Sequence, residues 1–81
     1  MIALTDLTKN TAAKLEAFSA DLIDEGHDLV ERLREMGFEE GSEIIIRHFG
    51  FVMRDPIAVD VDGVRVAIRR SEAKVIKVLP L

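Results

Sequence analysis

The sequence IAVDVDGVRVAIR, residues 57–69, places Asp62-Gly63 between two segments in which apolar and polar residues alternate. Asp-Gly between such segments is a strong short-range signal of a β-hairpin with a two-residue turn. A turn of this length fixes the register of the two strands. The predicted pairs are Val61 with Val64, Val59 with Val66, and Ile57 with Ile68, and all six side chains share one face.

The opposite face of this hairpin supports the same register independently. Asp60 lies across from Arg65, and opposite charges that face each other across antiparallel strands stabilise the pairing. We therefore predict the hairpin as the firmest element of the fold. Asp62 and Gly63 are predicted as structural residues, because Asp and Gly are the residue types that this turn favours.

Three further strands and two short turns surround the hairpin in the sequence. Alternation over residues 11–18, β-branched residues over 42–49, and the apolar segment 75–79 each predict a strand. Residues 4–7 are expected to form a single helical turn. A second short turn is predicted over residues 71–74, with Ser71 as its cap.

One α-helix is predicted from about Gly26 to Met36, because apolar residues recur there at helical spacing. Its end is well defined. Gly37 suits the left-handed position that follows a helix, and Phe38 can then fold back onto Leu33, as in a Schellman cap. Gly37 is thus a predicted structural residue, as is Gly41, which marks the turn before the next strand.

Length and composition limit the fold and the chemistry. The chain has 81 residues, room for one core, so residues 1–81 are predicted as one domain that is mainly β with one α-helix. Five strands this short are best closed by a small, strongly bent barrel. The absence of Cys excludes disulfides, thiolate nucleophiles and Cys-based zinc sites. A net charge of −4 argues against nucleic acid as the main partner.

The sequence contains no pattern typical of membrane insertion or export. The purely apolar runs reach only four residues, as in Met1-Ile2-Ala3-Leu4, whereas a membrane span needs roughly 20. The N-terminal residues lack the basic start and long apolar stretch of a signal peptide. We therefore expect a soluble, cytoplasmic protein with no direct membrane insertion.

Candidate catalytic and metal-binding residues are few. His27 and His48 are the only imidazoles, and neither has a His or Cys at ligand spacing. Asp55, Asp60 and Asp62 lie close together in the sequence, but hard-cation sites need about six oxygens or more. The serines lack the context of a nucleophile. We predict no catalytic residues, no metal site and no cofactor, and hence a protein that is not an enzyme.

The segment Phe49-Gly50-Phe51-Val52-Met53 is unusually apolar for a connection between strands. Two interpretations remain open. The segment either packs on its own barrel as the arm of a long hairpin, or it forms an exposed apolar patch that binds a partner or a second copy of the chain. Under the second interpretation Phe49, Phe51, Val52 and Met53 are candidate partner-binding residues.

Charge is distributed unevenly along the chain. Ten acidic residues fall between Glu16 and Glu43, whereas the segment after Val64 is basic. The two regions either attract each other within the fold, or the basic segment forms a strip that docks an acidic partner. Under the second interpretation Arg69 and Arg70 join the candidate partner-binding residues.

The order and spacing of several short segments resemble those of the FeoA family, small proteins of bacterial and archaeal ferrous iron uptake. The matching segments are Leu4-Thr5-Asp6-Leu7, Leu33-Arg34-Glu35-Met36-Gly37-Phe38, Glu40-Gly41-Ser42-Glu43-Ile44, Asp55-Pro56, the Asp62-Gly63 hairpin, and Ile68 to Ala73 with Val75 to Val78 after it. The chain departs from the family pattern at residues 8–10 and 49–54.

The resemblance implies a small SH3-like five-stranded barrel. It also implies a non-catalytic cytoplasmic accessory protein that contacts the GTPase region of the ferrous iron transporter FeoB. A connection with transition-metal ions enters through the resemblance alone, since no ligand set is visible in the sequence. The alternative is a free-standing SH3-like module that binds a protein or peptide, as in the C-terminal domain of iron-dependent repressors. A small metal carrier is a third possibility, which the scarcity of ligands disfavours.

Overall fold

The computed structural model describes residues 1–19 and 26–81. The described strands are Ile2–Ala3 (β1), Ala12–Phe18 (β2), Glu43–Val52 (β3), Asp55–Val61 (β4), Val64–Ile68 (β5) and Ile76–Pro80 (β6). Helix α1 spans Gly26–Glu35, the short helix α2 spans Arg70–Ala73, and a single 3₁₀ turn spans Leu4–Asp6. None of the described helices is long and apolar enough to cross a lipid bilayer.

The strands form one antiparallel sheet in the order β1-β6-β2-β3-β4-β5. The prediction of five strands closed into a barrel is therefore wrong in two respects. A sixth strand, β1, pairs with β6, and its two residues are too few to leave an alternating pattern. Among the described residues β1 and β5 do not pair, so the sheet stays open. Apolar side chains of the helical segments, including Leu4, Leu29 and Leu33, enter the same core. The core is therefore covered without a pairing between β1 and β5.

The hairpin of β4 and β5 has the predicted register. All three predicted apolar pairs occur, and Asp60 lies opposite Arg65. Asp62 and Gly63 have φ angles of 49° and 87°, the positive values that a type I′ turn requires. One side chain differs from the prediction: Val64 is 64% exposed, because it lies beside the turn at the edge of the sheet, where the core does not reach.

The end of α1 confirms the predicted cap. The backbone N–H of Phe38 donates to the carbonyl of Leu33 at 3.0 Å, and that of Gly37 donates to Arg34 at 3.0 Å. These are the two hydrogen bonds of a Schellman motif. Gly37 has a φ of 108°, and Phe38 and Leu33 are completely buried against the sheet.

Helix α2 begins one residue before the position predicted from the sequence. Ser71 was expected to cap a short turn, but it lies inside the helix, which starts at Arg70. The carboxylate of Glu72 accepts a hydrogen bond from the backbone N–H of Arg69 at 2.8 Å. That acceptor satisfies the amide at the start of the helix, so a serine hydroxyl is not needed there.

Candidate functional site

The hairpin between β3 and β4 ends in an exposed apolar tip, which we define as residues 51–53. Strand β3 continues through Gly50 to Val52, and Val52 pairs with Asp55. The strand predicted to end at Phe49 is thus three residues longer. Phe51 is 107% exposed, Val52 74% and Met53 82%. The interpretation in which this segment packs on its own barrel is therefore wrong for the tip, because all three side chains are exposed.

Phe49 does not belong to this exposed tip. Its side chain is half-buried and packs against the hydrophobic core. The guanidinium of Arg54 lies over the Phe49 ring, 4.0 Å from the ring centroid, a favourable cation–π distance. Phe49 therefore anchors the hairpin arm, and the surface available to a partner begins at Phe51.

Arg70 and Asp55 attach the tip to the rest of the fold. The guanidinium of Arg70 donates to the backbone carbonyl of Met53 at 3.1 Å. In the opposite direction, the carboxylate of Asp55 accepts from the backbone N–H of Arg70 at 2.9 Å. The start of α2 and the hairpin turn thus hold each other in place.

A shallow depression of about 520 Å³ lies beside the tip. Its lining combines apolar side chains with both signs of charge, and consists of Val52, Met53, Asp55, Pro56 and Arg69. The structure therefore brings Val52, Met53 and Arg69 together on one surface. Arg70 supports that surface from the side, through its bond to Met53.

Sequence reasoning missed three residues of this region. Arg54 carries no local signal, and Asp55 was noted only within the resemblance and as a possible metal ligand, although its carboxylate joins β4 to α2. Gly50 was expected to lie in a connection between strands. Instead, a Cβ atom at position 50 would lie 2.0 Å from the backbone oxygen of Asp55. Only glycine lets the two hairpin arms approach this closely.

The predicted structural residues also have defined places. Asp62 accepts a hydrogen bond from the backbone N–H of Glu43 at 2.9 Å, while its own N–H donates to the Glu43 carbonyl at 2.9 Å. The turn is thereby tied to the start of β3. Gly41, with a φ of 93°, forms the turn before β3, and its N–H donates to the carbonyl of Leu15.

The outer face of the sheet carries a three-residue charge cluster. One oxygen of the Asp60 carboxylate accepts from Arg65 at 2.8 Å, and the other accepts from Arg47 at 2.8 Å. The guanidinium of Arg65, assisted by that of Arg47, lowers the pKa of Asp60 to about 2. Arg65 is thus already paired within the fold, which removes it from any basic strip available to a partner.

A second depression, of about 400 Å³, lies between β2 and α1. The guanidinium of Arg34 stands 4.8 Å from the centroid of the Phe18 ring and forms two hydrogen bonds with Glu40, at 2.8 and 3.1 Å. The hydrogen bond from Arg34 lowers the pKa of Glu40 and raises that of Arg34. Both residues of this ion pair belong to the acidic region of the sequence, so the pair does not join that region to the basic segment after Val64.

Metal-ligand groups are not clustered in the described part of the chain. Within residues 1–19 and 26–81, no three His, Asp or Glu side chains come close enough to hold a metal ion together. His48 is exposed on β3. The side chain of His27, the other predicted imidazole, lies outside the described residues. Within the described residues no buried side-chain polar atom lacks a hydrogen-bond partner.

The fold and the tip define the class of protein: a small, mainly β, SH3-like protein with an uncovered apolar hairpin tip. The FeoA domain model matches residues 2–80, and the chain belongs to the FeoA family. No curated protein sequence gives a significant match.

Solved structures of the family superpose closely on this chain. FeoA of Stenotrophomonas maltophilia, solved with zinc and described as a candidate activating factor of ferrous iron transport, is 36% identical, with a TM-score of 0.79 over 96% of this chain and 89% of that one. A FeoA-like protein of Clostridium acetobutylicum is 29% identical, with a TM-score of 0.82 over 99% and 86%. A manganese-dependent transcriptional repressor has a TM-score of 0.80 over 98% of this chain and 41% of its own, but at 16% identity it shows the fold alone.

Proposed function

We propose that this chain is a non-catalytic accessory protein of ferrous iron uptake, which acts in the cytoplasm by binding the GTPase region of the transporter FeoB. Membership of the FeoA family supports the connection with iron uptake. The observation that carries the proposed mode of action is the uncovered tip, in which three consecutive apolar side chains are almost fully exposed. Exposed apolar patches of this kind mark interaction sites.

The tip has the properties of a contact surface that is formed before binding. Burial of one exposed Phe contributes roughly 1.5–3 kcal/mol, so Phe51 alone is sufficient to determine the strength of a weak interface. The bonds from Arg70 to Met53 and from Asp55 to Arg70 hold the tip in one place. A surface that is already ordered loses less entropy on binding.

Arg69 supplies a charge beside these apolar groups. It lines the depression next to Val52 and Met53, and at the rim of an interface such a charge favours an acidic partner surface. The proposed contact therefore consists of Phe51, Val52 and Met53 at its centre and Arg69 at its rim. Arg70 positions the tip.

A titration of the isolated GTPase region of FeoB with wild-type protein and with Phe51→Asp tests this proposal. We expect the substitution to weaken binding at least about tenfold, because a charged side chain cannot enter an apolar contact. The melting temperature should barely change, since Phe51 is fully exposed. The matched control is Leu81→Asp, because Leu81 is as exposed as Val52, at 74%, and lies away from the tip.

Three results would contradict the proposal. Equal binding by wild type and Phe51→Asp would place the contact elsewhere, and equal loss in both variants would indicate an effect of charge alone. Absence of wild-type binding would favour the alternative, a free-standing SH3-like binding module. Self-association through the tip is a separate outcome, in which Phe51→Asp changes the sedimentation of the protein by itself.

The zinc in the S. maltophilia structure raises the question of metal binding in this chain. We propose that the purified protein retains no stoichiometric iron or zinc, because isolated His residues and carboxylates do not form a tight site. Elemental analysis after dialysis tests this. One tightly held equivalent of metal would favour a metal carrier instead.

A further inference from the structure

Strand β5 is an open edge of the sheet. In a two-residue hairpin the residues that flank the turn form a hydrogen-bonded pair, and the hydrogen-bonded positions then alternate. Val64, Val66 and Ile68 therefore bond to β4, and the backbone groups of Arg65 and Ala67 point away from it. Within residues 1–19 and 26–81 no strand pairs with this edge, and Arg65 and Ala67 are exposed.

The usual protection of an edge strand is weak here. Natural edges are protected by charged side chains, by Pro, or by a covering element. Strand β5 contains no Pro, and its single charge, Arg65, is held on the outer face by the Asp60 carboxylate at 2.8 Å. Val64 lies on the core side of the sheet and yet is 64% exposed. An apolar side chain and free backbone groups thus lie along the same edge.

We infer that β5 pairs with β5 of a second copy of this chain, antiparallel about a two-fold axis at Val66. In this register Arg65 lies opposite Ala67 of the second copy, and both have outward-pointing backbone groups, so they form the hydrogen-bonded pairs of the new ladder. Val64 lies opposite Ile68 of the second copy. The exposed Val64 is then covered on the core side.

Charge selects this register among the neighbouring ones. A shift of the axis to Arg65 places the two Arg65 side chains directly opposite each other, and like charges in that position are destabilising. With the axis at Val66, each Arg65 instead lies opposite the uncharged Ala67 of the second copy, so no like charges face each other within the paired strands.

Cysteine cross-linking tests the register directly, because the natural chain has no Cys. In Val66→Cys the two new thiols face each other across the axis, with Cα atoms about 4.5 Å apart, within the range of a disulfide. In the matched control Val64→Cys, the two thiols lie about 14 Å apart along the paired strands. We expect mild oxidation to convert Val66→Cys to a covalent dimer and to leave Val64→Cys monomeric. Accessibility alone would give the opposite result, because position 64 is exposed and position 66 is half-buried.

Sedimentation of variants without cysteine provides an independent test. Ala67→Pro removes an outward N–H while leaving the ladder between β4 and β5 intact, and Ala67→Ser retains that N–H. We expect wild type and Ala67→Ser to form dimers with rising concentration, and Ala67→Pro to require at least about tenfold higher concentration. Unfolding of Ala67→Pro would leave the cross-linking pair to decide.

Faster cross-linking of Val64→Cys than of Val66→Cys would overturn this inference, as would a wild-type protein that stays monomeric at about 1 mM. A dimer that Phe51→Asp abolishes and Ala67→Pro leaves unchanged would also overturn it, since the interface would then be the tip. None of these results depends on the transporter.

Discussion

The two hairpin turns that flank β4 share a backbone geometry and differ in the residues that form it. Asp62 and Gly63 have φ angles of 49° and 87°, and Met53 and Arg54 have φ angles of 54° and 62°. Both are two-residue turns with positive φ at each central position. Asp-Gly is a preferred sequence for this geometry, whereas unbranched long side chains rarely adopt it.

The difference indicates that the Asp62-Gly63 turn is favoured by its own sequence, whereas the Met53-Arg54 turn is not. A left-handed conformation costs a non-glycine residue roughly 1–2 kcal/mol, so Met53 and Arg54 are held in place by other contacts. Arg70 bonds to the Met53 carbonyl, and Arg54 stacks over Phe49. Backbone strain of this kind concentrates at functional sites. The Asp62-Gly63 turn therefore stabilises the fold. The turn at the tip instead contains Met53 and Arg54, two residues that its backbone geometry does not favour.

The largest effect is expected from Gly50→Ala, beside the tip. The new Cβ atom would lie 2.0 Å from the backbone oxygen of Asp55, so the two arms of the hairpin must separate. We expect the free energy of unfolding to fall by about 3 kcal/mol. Chemical denaturation measures this change, and a loss below about 1 kcal/mol would show that the arms are not closely packed.

Gly63→Ala makes the same substitution in the other turn, where a different physical cause is expected to lower the stability. No atom lies within 4 Å of a Cβ at position 63, but the φ of 87° is unfavourable for any side chain. We expect a loss of about 1–2 kcal/mol, smaller than for Gly50→Ala. If the two losses have the opposite order, steric contact at the tip is not the dominant constraint.

The pH dependence of stability in wild type and in Asp60→Asn tests the charge cluster that supports the β4–β5 hairpin. The pKa of Asp60 is about 2 in the fold, below its unfolded value of about 3.9. Its contribution to stability is therefore complete above pH 4 and is lost as the pH falls through 2. We expect the melting temperature of wild type to be higher than that of Asp60→Asn at pH 5, and the two melting temperatures to converge near pH 2. A gap that is constant with pH would exclude the ion pairs as its cause.

Local signals predicted those parts of the fold that local contacts determine. The register of the β4–β5 hairpin follows from Asp62-Gly63 and the alternation around it, and the end of α1 follows from Gly37 and Phe38. Strand β1, by contrast, is formed by two residues that show no pattern of their own. Its position depends on β6, which is distant in the sequence.

The candidate site was only partly predictable for the same reason. The apolar character of residues 51–53 is visible in the sequence, but the turn at Met53-Arg54 carries no Gly, Asn or Asp to reveal it. That turn depends on contacts with Arg70, which is 17 positions away in the sequence. The length of β3 and the exposure of Phe51 therefore required the tertiary structure.

The most direct test of the account gives the tip the sequence that its geometry favours, by combining Met53→Asn with Arg54→Gly. Relief of strain at two positions should exceed the lost stacking of Arg54 on Phe49, so we expect the free energy of unfolding to rise by about 1 kcal/mol. Affinity for the GTPase region of FeoB should fall about fivefold, because the exposed Met53 side chain is removed. Thermal melts and a binding titration on the same samples measure both quantities. A variant that is no more stable than wild type, or one that binds equally well, would contradict the claim that the tip keeps an unfavourable turn in order to bind a partner.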